Sequence, residues 1–176
     1  MTHPDEKSHL AHLVALGMSP ASAAATIKID GVMAHIRRSM ARREMGRLAI
    51  KALDLPIDVA DLDILVTLEM APEGEATVGY IAERLNVDPS RASRIVADAV
   101  DKGLVRRVAS QADARRIGLE LTETGRSHAE SVRRYKWGVF AEALGEWPED
   151  DLVTFARLFE RFSGWVAEAK EKAGKG

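Results

Sequence analysis

The feature that most constrains this chain is a change of hydrophobic period at Gly103. Before it, apolar residues recur every three or four positions. After it, Ile117, Leu119 and Leu121 alternate with Gly118 and Glu120. A period near 3.6 marks one face of a helix and a period of 2 marks one face of a strand, so the chain must pass from helices into extended structure there. Two strands are expected, Leu104 to Ala109 and Arg116 to Leu121. The segment joining them, Ser110 to Arg115, is polar and too long for a two-residue turn, so its tip should project into solvent.

The stretch before Gly103 carries its own punctuation. Thr77 is suited to cap a short helix from Val78 to Leu85, and Asn86 tolerates the left-handed conformation that a tight turn needs. Asp88 followed by Pro89 is a cap plus first helical residue for a second helix ending at Lys102. Ala82 is small where the two helices cross, and Ala92, Ile95, Val96 and Ala99 supply the inward side of the second. Two short helices with a tight turn, followed by a charged hairpin, is the winged helix-turn-helix layout, whose second helix lies in the DNA major groove.

The remaining chain reads as helical. A short helix is expected over about Glu6 to Leu16, and a long one over Ala21 to Leu53 with Ile29, Val32, Met33, Ile36 and Met40 as a buried stripe. Another follows Asp58 as cap and runs to Met70, with Leu62, Leu65, Val66 and Glu69 on one period. Thr122 caps a helix from Glu123 to about Leu144, with Val132, Tyr135, Val139, Phe140 and Ala143 as its apolar side. Pro148 opens the last, whose Leu152, Phe155, Leu158, Phe159, Phe162 and Trp165 form a wide apolar band. The fold class expected is mainly α with a small β-hairpin wing.

Charge and composition exclude several classes. The 176 residues are 46% hydrophobic and 30% charged, with no cysteine, which removes disulfide frameworks and thiolate metal sites. No apolar run reaches the roughly 18 residues needed to cross a bilayer, and the first eight positions are polar, so a cytoplasmic protein without a membrane span is expected. There is no P-loop, glycine-rich dinucleotide turn, His-Glu-x-x-His or nucleophile elbow, so neither an enzyme nor a cofactor is expected. His9 and His12 share a helical face near His3, but an isolated histidine group on a chain terminus is a poor rigid site, and no metal is expected.

Net charge is −2, which by itself speaks against a nucleic-acid binder. Distribution reverses that reading. From Asp88 to Arg116 the balance is +3, while Leu53 to Glu75 holds seven acidic residues and no basic one. A local basic surface inside an acidic protein can still meet phosphate. Ser90, Arg91, Ser93, Arg94 and Asp98 are the outward residues of the second helix. Arginine can bridge guanine O6 and N7 there, and serine can serve bases or phosphates.

The run Asp88-Pro89-Ser90-Arg91-Ala92-Ser93-Arg94-Ile95-Val96, with Asp101-Lys102-Gly103-Leu104-Val105-Arg106-Arg107, Asp113-Ala114-Arg115-Arg116 and Leu121-Thr122-Glu123-Thr124-Gly125, resembles the MarR family. The resemblance spans about Ile29 to Trp165, with its specific motifs confined to Thr77 through Gly125. Asn86 departs from it, standing where a glycine is commoner, and the segment before Pro20 is an addition. The resemblance implies that Arg115 enters the minor groove, that Asp113 holds that arginine, and that the helix from Pro89 reads the major groove. An arginine on a projecting tip suits the negative potential of a narrow minor groove, and the plain alternative is an Asp113 to Arg115 surface ion pair. The DNA contacts expected are Thr77, Ser90, Arg91, Ser93, Arg94, Arg106, Asp113 and Arg115. Arg106 and Arg107 alternate across their strand, so at most one of them faces DNA.

By the same resemblance the terminal helices interlock with a second copy. Residues 1–19 are then an N-terminal extension helix, 20–75 dimerisation and linking helices, 76–126 the winged helix-turn-helix, and 127–176 C-terminal dimerisation helices. The partners expected are double-stranded DNA with a pseudo-palindromic operator, a second copy of the chain, and a small aromatic or phenolic effector that relieves repression. The effector lining expected is Met33, His35, Arg38, Met70 and Trp137, each with a plainer reading as core or, for His35, as a hydrogen-bonded imidazole. Arg37, Arg38, Arg42 and Arg43 read either as a solvated face, a phosphate-contacting patch or anion holders. A winged-helix adaptor that binds protein without binding DNA is the alternative, since a fold does not fix a function.

Overall fold

The computed structural model describes residues 4–72, 74–109, 117–165, 171 and 173. Its elements in chain order are α1 (Pro4–Ala15), α2 (Pro20–Ala41), α3 (Glu44–Ala52), α4 (Val59–Glu69), α5 (Val78–Leu85), α6 (Pro89–Asp101), β1 (Val105–Ala109), β2 (Ile117–Leu121), α7 (Glu123–Leu144) and α8 (Glu149–Ser163). The chain divides into two compact units, Met1–Val132 and Arg133–Gly176. Among the described residues no helix is long and apolar enough to cross a membrane.

The first unit closes its core around Ile64, Leu65, Ile81, Val96, Leu104 and Val105, all essentially removed from solvent. These come from α4, α5, α6, β1 and, for Leu104, the residue just before β1, and α6 packs against each of α4, α5 and β1. Local chemistry sets where the helices start. The N–H groups of Ala60 and Asp61 donate to Asp58 Oδ1, while the Asp58 N–H donates back to Asp61 Oδ2, a reciprocal capping box. The Tyr80 N–H donates to Thr77 Oγ1 at 3.2 Å and the Arg91 N–H to Asp88 Oδ1 at 2.8 Å. Each such cap stabilises its helix by about 1 kcal/mol. Asn86 takes the left-handed conformation at φ 51°, and Gly103 turns the chain into β1 at φ 68°.

The wing strands pair antiparallel, with Val105 opposite Leu121, Arg107 opposite Leu119 and Ala109 opposite Ile117. The Leu119 N–H also donates to the Ala76 carbonyl at 2.8 Å, so the segment before α5 adds one rung to β2. Thr122 fastens the hairpin base: its hydroxyl donates to the Gly103 carbonyl at 2.6 Å and accepts from the Gly125 N–H at 3.1 Å. Gly125 is required by contact, because a Cβ there would collide with the Leu104 carbonyl oxygen.

Three expectations are corrected. The single helix expected over residues 21–53 is two helices, α2 and α3, because Arg43 adopts the left-handed conformation at φ 52°. Its guanidinium meets Asp63 on α4 at 2.8 Å, a contact between residues twenty positions apart. The α2 stripe is not buried within the chain: Ile29, Val32 and Met40 are exposed, Met40 at 72%. On α4 the covered face is Leu62, Ile64, Leu65 and Leu68, whereas Val66 and Glu69 face outward.

In the second unit α8 buries none of its residues. Its rings stack on one another instead: Phe155 lies 5.6 Å from Phe159, and Trp147 meets Phe155 edge-on at 5.5 Å between centroids.

Candidate nucleic-acid interface

Helix α6 presents two chemically distinct faces. Ala92, Val96 and Ala99 are fully buried, with Ile95 half-buried beside them. Ser90, Arg91, Ser93, Arg94 and Asp98 are exposed. The small alanines let α6 approach α5 closely, and the tight turn at Asn86 fixes the crossing. Among the described residues neither the Arg91 nor the Arg94 guanidinium is engaged by any side chain or carbonyl. Two unengaged guanidinium groups and two hydroxyls on the N-terminal half of one exposed helix face make a donor-rich surface. Its chemistry fits guanine edges and phosphate oxygens.

Thr77 lies half-buried at the start of α5, its hydroxyl occupied as the cap. On β1 the alternation predicted from the sequence separates two arginines. Arg106 donates from Nε at 3.0 Å and from a terminal nitrogen at 2.6 Å to Glu120 Oε2, whereas Arg107 is exposed and, among the described residues, without a partner. The guanidinium most available on this strand is therefore Arg107 rather than the Arg106 expected to contact DNA. Asp113 and Arg115, the expected wing-tip pair, lie outside the described residues.

A charged cluster sits at the far end of α6. Lys102, its C-terminal cap, places Nζ 2.6 Å from Asp61 Oδ2 and 3.5 Å from Asp58 Oδ2. The Asp61 side chain is 4% exposed and is, among the described residues, the buried charged one. The hydrogen bond to Asp61 raises the Lys102 pKa above its ordinary value. The Asp61 N–H, with the Lys102 charge nearby, holds the Asp58 carboxyl below the usual carboxylate range. Burial pushes Asp63 the other way, upward, against the opposing pull of Arg43. Residue spacing gave no signal for the Asp61 to Lys102 contact, since the partners are 41 positions apart.

The residues expected to line an effector site belong to separate elements. Met33, His35 and Arg38 lie on α2, with His35 and Arg38 exposed; Met70 follows α4 at 76% exposure; Trp137 belongs to the second unit and is 59% exposed. An open cleft of about 390 Å³ lies elsewhere in the first unit. Its walls include Leu68, Pro72, Ala76, Leu119, Leu121 and Arg126, and none of the five expected residues. Among the described residues no group of three or more histidine and acidic side chains is arranged to hold a metal ion.

Comparison with known proteins bears on this arrangement. A family model described as MarR family matches residues 55–116, from the approach to α4 through β1 and stopping short of β2. The HTH-type transcriptional repressor MdtR of Bacillus subtilis is 30% identical over 115 residues, covering 65% of this chain and 73% of that protein. An HTH-type transcriptional regulator of Mycobacterium tuberculosis is 33% identical over 89 residues, covering 51% of this chain. The match spans 61% of that regulator's own length. Among solved structures, a MarR family protein from Bacillus stearothermophilus superimposes with a TM-score of 0.69 at 21% identity, covering 85% of this chain and 99% of that one. The MepR protein of S. aureus bound to ethidium bromide superimposes with a TM-score of 0.57 at 21% identity, covering 75% and 95% respectively.

Proposed function

The chain belongs to the MarR family, and from that premise we propose that it is a transcription regulator that binds duplex DNA as a homodimer and represses until a small aromatic ligand releases it. The observation that carries the reading is the N-terminal half of α6, with Arg91 and Arg94 exposed and unengaged among the described residues beside Ser90 and Ser93. In this reading α6 enters the major groove. Arg115, positioned by Asp113, reaches into the adjoining minor groove, and Thr77 and a wing-strand arginine follow the backbone. Arg106 takes part only by exchanging Glu120 for phosphate, so Arg107 is the readier contact.

What the terminal helices leave uncovered supports the homodimer. The exposed rings of α8 and the exposed apolar residues of α2 suit a second copy, with residues 20–75 and 127–176 supplying the dimer and 76–126 the reading head. Two reading heads related by a two-fold axis would meet half-sites about one duplex turn apart, roughly 34 Å, and select a pseudo-palindrome. Ethidium, a planar aromatic, is bound in the MepR structure, and this supports an aromatic ligand here as well. Met33, His35, Arg38, Met70 and Trp137 are the residues proposed to meet it.

Selection of duplexes from a random pool by the purified protein tests the reading. A two-fold-related consensus is expected, and binding to it should weaken with salt at a log-log slope near −0.9 for each phosphate neutralised. Recovery of no consensus, together with no salt-dependent complex, would overturn it and favour a protein-binding adaptor.

A further inference from the structure

We propose that Lys102 is a positioning residue for DNA recognition: its ammonium group, seated on the buried Asp61 carboxylate, ties the end of α6 to the start of α4 and so sets the angle at which Arg91 and Arg94 are presented. The inference rests on α6 being the recognition helix. Along α6 itself the buried contacts are Ala92, Val96 and Ala99, short apolar side chains whose packing resists separation but is poorly directional. The Lys102 to Asp61 contact is different in kind. It is a charge-assisted hydrogen bond of 2.6 Å, and its acceptor oxygen also receives the Asp58 N–H at 2.9 Å. The capping box therefore locks the carboxylate that locks the lysine, and Lys102 is anchored to a fixed helix end rather than to a swinging side chain.

Position makes the anchor consequential. Lys102 closes α6, and the next residue, Gly103, turns the chain at φ 68° into β1. One side chain thus sits at the corner between the proposed reading helix and the wing. From Lys102 back to Arg91 a helix extends about 16 Å at 1.5 Å per residue. Over that length a tilt of roughly 10° at the anchor displaces the Arg91 end by about 3 Å, comparable to a whole hydrogen-bond length. Lys102 is raised in pKa by the same Asp61 contact, so the ammonium stays charged throughout the neutral range.

The rival role for an exposed lysine in such a protein is direct contact with phosphate, and the two roles separate experimentally. Lys102→Met is compared with wild type by fluorescence anisotropy on a duplex that the wild-type protein selects from a random pool, and on a scrambled duplex of equal composition, across a salt series. The expected result is a loss on the order of tenfold on the selected duplex, with scrambled-duplex affinity and the salt slope unchanged. Unchanged affinity on the selected duplex would overturn the proposal. So would equal loss on both duplexes with a slope shallower by about 0.9, the mark of one lost phosphate contact. If Lys102→Met fails to melt cooperatively, Lys102→Gln, which keeps a donor for Asp61 without the charge, replaces it under the same criteria, with a smaller loss expected. A wild-type protein with no preference between the duplexes would remove the DNA reading itself, whereas a wild-type preference with an unaffected variant removes only the role of Lys102.

Discussion

Helices α6 and α8 are both amphipathic and of similar length, 13 and 15 residues, yet only α6 is completed within its own unit. The apolar side of α6 is built from Ala92, Val96 and Ala99, each 0% exposed. That of α8 is built from Phe155, Leu158 and Phe159, each near 45% exposed. The difference lies in side-chain size and neighbours. Small residues let α6 settle into a core that α4, α5 and β1 already supply, whereas large rings on α8 can only stack on one another and leave their outer surfaces in water. An aromatic side chain can bury about 150–250 Å², so this band retains much of its hydrophobic driving force for a partner. The first unit closes its core with its own residues, whereas α8 leaves an apolar band uncovered, the face the proposed dimer would use.

The sharpest way to break the comparison is to truncate each core in turn. Leu65→Ala, at a fully buried position of the head, should lower unfolding free energy by about 2–5 kcal/mol, read as a shifted denaturant midpoint. Phe159→Ser should leave helical content intact and weaken self-association by about 2 kcal/mol, roughly thirtyfold in the dissociation constant. Sedimentation velocity over a dilution series measures it, and a wild-type chain that stays monomeric throughout would end the comparison. Gly125→Ala tests how tightly the head closes. Its Cβ meets the Leu104 carbonyl, so a loss of about 1–3 kcal/mol is expected, with the wing base disturbed more than α4.

A smaller effect should follow pH. The Asp58 pKa is lowered from 3.8, so its contribution is complete above that value and lost as pH falls through the lower folded-state value. The Lys102 pKa is raised from 10.5, so its contribution is complete below that value and lost as pH rises through the higher folded-state value. The stability gap between wild type and Lys102→Met should therefore be flat across the neutral range, at about 1–2 kcal/mol given the half-exposed lysine, and shrink at both ends, above pH 10.5 as the lysine deprotonates and below 3.8 as its carboxylate partner Asp58 protonates. Urea denaturation at a series of pH values checks both the plateau and its edges.

What could be read from residues alone was what local chemistry decides. Thr77, Asp88, Pro89 and Gly103 each mark an element end through one side chain or one backbone preference, and all four stand where expected. The alternation at Ile117, Leu119 and Leu121 placed β2 for the same reason. What escaped depended on partners far along the chain. The break at Arg43 contains neither glycine nor proline, and the ion partner of Arg43 is Asp63, twenty positions on. The anchor at Lys102 needs Asp61, and the engagement of Arg106 needs Glu120. The exposed stripe on α2 taught a related lesson: periodicity shows that a face is apolar and says nothing about which chain covers it.

The role proposed for the exposed N-terminal face of α6 is to read base pairs. It is tested most directly by measuring Arg94→Ala and Arg91→Ala, by fluorescence anisotropy, on the selected duplex and on variants of it changed one base pair at a time. Each substitution should weaken binding by about 1–3 kcal/mol and abolish discrimination at its own position while leaving it elsewhere. Undiminished affinity and discrimination in both variants would contradict it.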